Sequence, residues 1–167
     1  MRILRFALLS FVLLFLLITG ISLFFPSHVR ISRAVDIHAP ASLIHAQLSQ
    51  PDQWRNWFPG IDTLELVIDE GKEIGIRTPN GNALLLKDVE SLQVTATGKL
   101  GAAIQSSMGW NIMGGAAASH RTVQWYMDFE FDWYPWEKFA SLLLEPRYGP
   151  LMERGLQQLK NYCEQQP

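Results

Sequence analysis

Hydrophobic and polar positions change their rhythm several times along this chain. Over residues 6–25 (FALLSFVLLFLLITGISLFF) an uncharged, mostly apolar run continues unbroken, and at helical rise it spans the roughly 30 Å hydrocarbon core of a bilayer. Beyond Pro26 the period becomes two. Val29, Ile31, Val35 and Ile37 share one face of a predicted strand, with Arg33 falling in phase with them. Pro40 opens a short helix over 41–48, ended by Ser49 and Pro51, and a second short element carries Trp54, Trp57 and Phe58 before Pro59-Gly60. Alternation then resumes over 63–68, 73–78, 83–90, 92–100 and 104–113, with Asp69-Glu70-Gly71 and Pro79-Asn80-Gly81 as turns. Such a series reads as an antiparallel meander.

Residues 114–118 (GGAAA) lack packing side chains and read as a mobile connection. The strongest strand pattern follows it. From 123 to 133 every odd position is apolar (Val123, Trp125, Met127, Phe129, Phe131, Trp133), while Gln124, Tyr126, Asp128, Glu130 and Asp132 point the other way. Pro135 ends this strand, 136–144 forms a helical piece, and Pro146 with Gly149-Pro150 interrupts the chain before a last helix from Leu151. On that helix Leu151, Gly155, Leu156, Leu159, Tyr162 and Cys163 share a face, Gly155 allowing a neighbouring backbone to approach.

These patterns divide the chain into an N-terminal transmembrane anchor (1–26) and one domain (27–167) of a length that supports its own core. A cleaved secretory signal is the competing reading of the apolar run, since Arg2 and Arg5 precede it. Against it, a signal's apolar region usually spans about 7 to 15 residues and ends at an A-x-A-like site, for which Gly20 and Ser22 are a poor match. Arg2 and Arg5 favour a cytoplasmic N-terminus and an extracytoplasmic domain, an asymmetry that His28, Arg30 and Arg33 weaken. The net charge of −2 and the absence of a basic run argue against nucleic acid as a partner. The single cysteine, Cys163, permits no intrachain disulfide and reads as core. Six tryptophans and nine phenylalanines imply either a large core or a lined apolar cavity.

The order strand, two short helices, antiparallel meander, amphipathic C-terminal helix resembles the SRPBCC or START-like superfamily of polyketide cyclase/dehydrase and lipid-transport-like domains. Local wording agrees with it. Arg33-Ala34-Val35-Asp36-Ile37-His38-Ala39-Pro40 resembles the opening strand that runs into an I-x-A-P helix start, Trp54-Arg55-Asn56-Trp57 resembles a W-x-x-W element, and 149–160 resembles a G-x-x-x-x-x-G-L-x-x-L-K helix. The resemblance extends over 29–164. It implies an α+β helix-grip: a curved antiparallel sheet of about seven strands wrapped around the C-terminal helix and enclosing an apolar cavity, here preceded by one transmembrane helix. These motifs are specific to a fold and silent on chemistry, because the superfamily contains both enzymes and binders.

Candidate ligand-pocket residues are Trp125, Met127, Phe129, Leu84, Leu86, Met152 and Leu156, with Val123 and Trp133 as plain core at the strand ends. Ordinary core packing is the competing reading for all of them. Arg33 and Asp88 are charged yet in phase with apolar neighbours, Asp88 sharing parity with Leu84 and Leu86. They are candidates for a ligand's polar head, against a strand end near solvent, a parity-shifting bulge or a structural ion pair. Trp54, Trp57 and Phe58 are candidates for the cavity mouth or the membrane interface, against packing over the sheet. No catalytic residue and no cofactor is expected. His28, His38, His45 and His120 have no metal-ligand spacing, Ser106-Ser107 and Ser119-His120 no nucleophile elbow, and Gly114-Gly115 no phosphate-loop pattern. The reading that follows is a membrane-anchored, non-catalytic binder of a hydrophobic small molecule or lipid. The alternatives are a cyclase/dehydratase-type enzyme, for which Arg33 and Asp88 are the available titratable pair, and a cavity-free interaction module at the membrane surface.

Overall fold

A computed structural model describes residues 2–60, 65–77, 83–100, 104–114 and 120–166. Helix α1 (Arg2–Ser22) leaves its large apolar side chains from Ile3 to Ile21 exposed and meets the rest of the protein at its last turn, where Ser22 is buried; it is the one described helix long and apolar enough to cross a membrane. It stops at Ser22, before the expected terminator Pro26, through turns in which the Phe24 and Phe25 amides donate to the Ile21 and Ser22 carbonyls.

Seven strands follow: β1 (His28–Ile37), β2 (Glu65–Asp69), β3 (Lys72–Arg77), β4 (Ala83–Val89), β5 (Gln93–Leu100), β6 (Ile104–Met113) and β7 (Arg121–Glu130). They form one antiparallel sheet in the order β1-β7-β6-β5-β4-β3-β2, so the first strand joins the last and the meander runs outward from it. Glu70 and Gly71, both at positive φ, close the β2–β3 hairpin, the two-residue turn whose twist matches that of its strands. The expected Asn80-Gly81 turn and most of the 114–118 connection lie outside the described residues.

Helix α2 (Ala41–Ser49) and a 3-10 turn (Pro51–Asn56) pack on one face of the sheet together with the long C-terminal helix α4 (Leu144–Gln165), which lies against β1 and β7. The result is the helix-grip arrangement of an α+β domain, with its core between sheet and helices. Short helix α3 (Pro135–Ala140) and the turn Ser141–Leu143 lead into α4.

Two boundaries differ from the sequence pattern. Strand β7 ends at Glu130, so Phe131 is still buried but Trp133 is 63% exposed rather than core. Helix α4 begins at Leu144, runs through both prolines and does not wait for Leu151. Pro146 sits in the first turn, where its missing N–H has no intrahelical partner to lose. Pro150 does cost a helical bond, about 3 kcal/mol in an unsupported helix. The buried stripe Leu144, Tyr148, Met152, Leu156, Leu159 and Cys163 crosses that point, and each large apolar side chain contributes about 1.5–3 kcal/mol on burial, which outweighs the loss.

Gly155 admits a side chain of the sheet rather than its backbone. A Cβ there would stand 2.7 Å from Cζ3 of Trp125 and 2.9 Å from Cδ of Pro59. Gly155→Ala is therefore expected to lower stability by about 1–3 kcal/mol, while Asn161→Ala on the exposed face leaves it unchanged. Near-UV circular dichroism melts of both variants check this, and equal melting temperatures for Gly155→Ala and wild type would refute the close seat.

Candidate functional site

The inner face of the sheet is written in cross-strand rows. Arg33, Trp125, Trp110 and Val94 make one; Ile31, Met127, Met108, Ala96 and Leu86 make the next; Val29, Phe129, Ser106, Gly98, Leu84 and Ile76 make a third. Large rings thus occupy the first row and flexible methionines the second, while small groups at Ala96, Gly98 and Ser106 line the inner face of β5 and β6. From the opposite side α4 brings Met152 and Leu156, both buried, and Tyr148, whose ring lies 5.2 Å from that of Phe129.

Trp110 and Trp125 face each other across β6 and β7 with ring centroids 5.7 Å apart, and Trp54, Trp57 and Phe58 close around them at 5.2–6.1 Å. The indole N–H groups divide into two kinds. Those of Trp54 and Trp57 donate to the carbonyls of Leu48 (2.9 Å) and Gln47 (3.1 Å). Those of Trp110 and Trp125 are buried without an acceptor among the described residues, and each such donor costs about 1–3 kcal/mol.

Trp125, Met127, Phe129, Met152, Leu156 and Leu84 are all buried at this interior, and Leu86 is half-buried beside them. Trp110, Met108 and Tyr148 join them, although sequence reasoning passed over all three. Their signal was present: Met108, Trp110 and Ile112 share parity on β6, and Tyr148 precedes Met152 by one helical turn, masked by the helix start placed at Leu151.

Other candidates lie elsewhere. Trp54 and Trp57 are 0% and 1% exposed, so neither reaches a membrane surface, and Phe58 is half-buried between Trp54 and Trp125. The two neighbouring carbonyls that take up their N–H groups are what allow the indoles inside. Asp88 is exposed, because the β4–β5 register shifts between Leu86 and Asp88 and turns it away from the face of Leu84; its backbone and carboxylate bond Thr95 Oγ1 instead. Arg33 stays on the inner-face parity, yet its guanidinium reaches past the core to α4, donating from Nε to Glu153 (2.7 Å) and from Nη2 to Glu145. These two carboxylates hold the Arg33 pKa above its ordinary value, Glu145 most strongly.

The outer face carries a separate polar arrangement. Asp128 accepts from Arg30 Nε and Nη2 at 2.6 and 2.7 Å and lies 3.3 Å from His28 Nε2, while Arg30 stacks over Tyr126 at 4.7 Å. A recess of about 140 Å³ lined by Thr97, Ser106, Ser107, Asp128 and Glu130 adjoins it. With Asp128 already bonded to Arg30, this is a surface ion-pair network.

Fold and interior together define a helix-grip domain with an apolar, aromatic interior between sheet and helix. The chain belongs to the family described as polyketide cyclase / dehydrase and lipid transport, whose model matches residues 28–164. That membership makes it a hydrophobic-ligand-binding or cyclase-type domain. No curated protein matches the chain. Among solved structures it is similar to XoxI from Bacillus cereus (TM-score 0.61, 13% identity, 82% of this chain and 96% of that one). It is also similar to norcoclaurine synthase from Thalictrum flavum, solved with dopamine and hydroxybenzaldehyde (TM-score 0.62, 12% identity, 87% and 91%). A third similar structure is the di-domain ARO/CYC protein StfQ of the steffimycin biosynthetic pathway (TM-score 0.62, 11% identity), of which this chain covers 82% of its own length and 51% of the other's. At these identities the likeness is one of fold.

Two outcomes are expected. Arg33→Met should lower stability by about 1 kcal/mol, since both glutamates are more than half exposed and exposed pairs are weak. The deficit should shrink at high ionic strength; thermal melts in low and high salt check this, and a salt-independent loss would contradict it. Burial, assisted by Glu164, pushes the Cys163 thiol up to about 11. It should therefore resist iodoacetamide in mildly alkaline buffer until the chain unfolds, whereas rapid labelling of the native protein would show it exposed as thiolate.

Proposed function

We propose that this protein is a membrane-anchored domain that holds a hydrophobic small molecule or lipid between its sheet and α4, by burial and without bond chemistry. The observation that carries this reading is the pair of buried indole N–H groups, Trp110 Nε1 and Trp125 Nε1, that have no acceptor among the described residues. Native interiors seldom leave two neighbouring donors unsatisfied, and a ligand with an apolar body and one carbonyl or hydroxyl oxygen would satisfy them. Met108 and Met127, paired across β6 and β7, supply surface that repacks around different shapes.

The surrounding chemistry supports binding over catalysis. Arg33 is engaged by Glu145 and Glu153, and Asp88 is exposed at a bulge, so neither of the residues considered for proton transfer stands in the interior. Burial pushes the Tyr148 phenol pKa up, which keeps it neutral beside Phe129. The burial of Trp54 and Trp57 likewise removes the surface on which a cavity-free interaction module would depend. Helix α1, apolar along its length and exposed over all but its last turn, acts as the anchor, with Arg2 and Arg5 on the cytoplasmic side and the domain outside.

Native mass spectrometry of the full chain in mild detergent, purified from its own host and from a heterologous one and followed by denaturing extraction, tests the proposal. A recurring apolar mass is expected, with its occupancy reduced in Trp110→Phe and Trp125→Phe. No bound mass in either preparation, together with no shift in melting temperature across a panel of apolar carbonyl compounds, would overturn it.

A further inference from the structure

The sheet has two ends, and the chain leaves the anchor at one of them. His28 pairs with Glu130, Glu130 with Gln105, Leu100 with Ile104, Arg77 with Ala83 and with Glu65, so all of these strand ends lie on the same side as the exit of α1. Helix α3 is fastened to that exit. Lys138, 5% exposed, donates from Nζ to the Phe25 carbonyl (3.3 Å) and to the hydroxyl of Ser27; Phe139 meets Phe25 edge-on at 5.3 Å; and the Phe131 amide donates to the Ser27 carbonyl at 2.8 Å. A buried ammonium bonded to the backbone just past an apolar helix ties α3 to the place where α1 leaves its apolar run.

What α3 and its flanks present is apolar and aromatic. Trp133, Trp136, Leu142 and Leu143 are each more than half exposed, as are Leu23 and Phe24 at the end of α1. Trp133, Tyr134 and Trp136 stack in sequence with centroids 4.8 and 4.9 Å apart, a short aromatic belt of the type that settles at headgroup depth. Four large apolar side chains within eleven residues stand exposed outside the core, the kind of surface that marks a docking site.

We infer that the segment from Trp133 to Leu143 is a second membrane contact: it lies in the interface of the same bilayer that α1 crosses, and it holds the domain with the α1 end of its sheet toward the lipid. The occupant is a lipid bilayer, argued from the fastening of α3, through Lys138 and Phe139, to the exit of α1. The inference rests on the reading of α1 as an anchor.

The test uses the full chain reconstituted into vesicles of phosphatidylcholine and phosphatidylglycerol, with and without phosphatidylcholine brominated near the top of its acyl chains. Flotation first reports whether α1 inserts, and tryptophan quenching then reports whether the patch touches lipid. Trp54, Trp57, Trp110 and Trp125 are buried, so quenching is expected to come from Trp133 and Trp136 and to be largely lost in Trp133→Phe/Trp136→Phe, which should still float. Vesicles that float with no quenching, or with quenching that survives in the double variant, would overturn the second contact and leave the anchor standing. Protein that fails to float would overturn both.

Discussion

The ring of Trp125 lies where a methyl group on Gly155 would have to be, 2.7 Å from Cζ3, and this seat sets how closely α4 can approach β7. The other features of the interior depend on that separation. With α4 this close, Met152 and Leu156 close over the inner rows of the sheet, Tyr148 reaches Phe129, and the carboxylates of Glu145 and Glu153 come within bonding distance of Arg33 on β1. It also traps the indole edge of Trp125, beside that of Trp110, where the described residues offer no acceptor. Close packing and an unpaired polar group are thus two consequences of one contact, since the ring that fills the gap brings a donor with it.

Around that seat the four buried tryptophans divide their labour. Trp54 and Trp57 are structural, because the backbone carbonyls of Leu48 and Gln47 complete their hydrogen bonding and lock the 3-10 turn to α2. Trp110 and Trp125 are equally buried but incomplete. The proposed binding role follows from this inequality, and it agrees with the chain's membership of a family of cyclase/dehydrase and lipid-transport domains.

Much of the inner face could be read from alternation alone. Val123, Trp125, Met127 and Phe129 point inward as their odd positions require, and the paired partners on β1 and β6 follow from the same period. Asp88 shows where that reasoning stops. A bulge inserts one residue's worth of offset and exchanges inside for outside, and neither Leu86 nor Lys87 announces it. The prolines of α4 show a second limit: local propensity argued for a break at Pro150, but the stripe from Leu144 to Cys163 is buried as a unit and its packing prevails.

By itself, then, the sequence determined the apolar N-terminal helix, the antiparallel meander, the amphipathic last helix and the identity of most inward-facing side chains, because period and composition are local properties that a single chain displays. Only the tertiary structure decided which tryptophans find acceptors, which carboxylates meet Arg33, and which aromatic residues face outward near the end of α1. Those outcomes depend on groups distant in sequence, Trp125 with Gly155, Arg33 with Glu145 and Glu153, Lys138 with Phe25, and no local pattern encodes the separation between two elements before they pack.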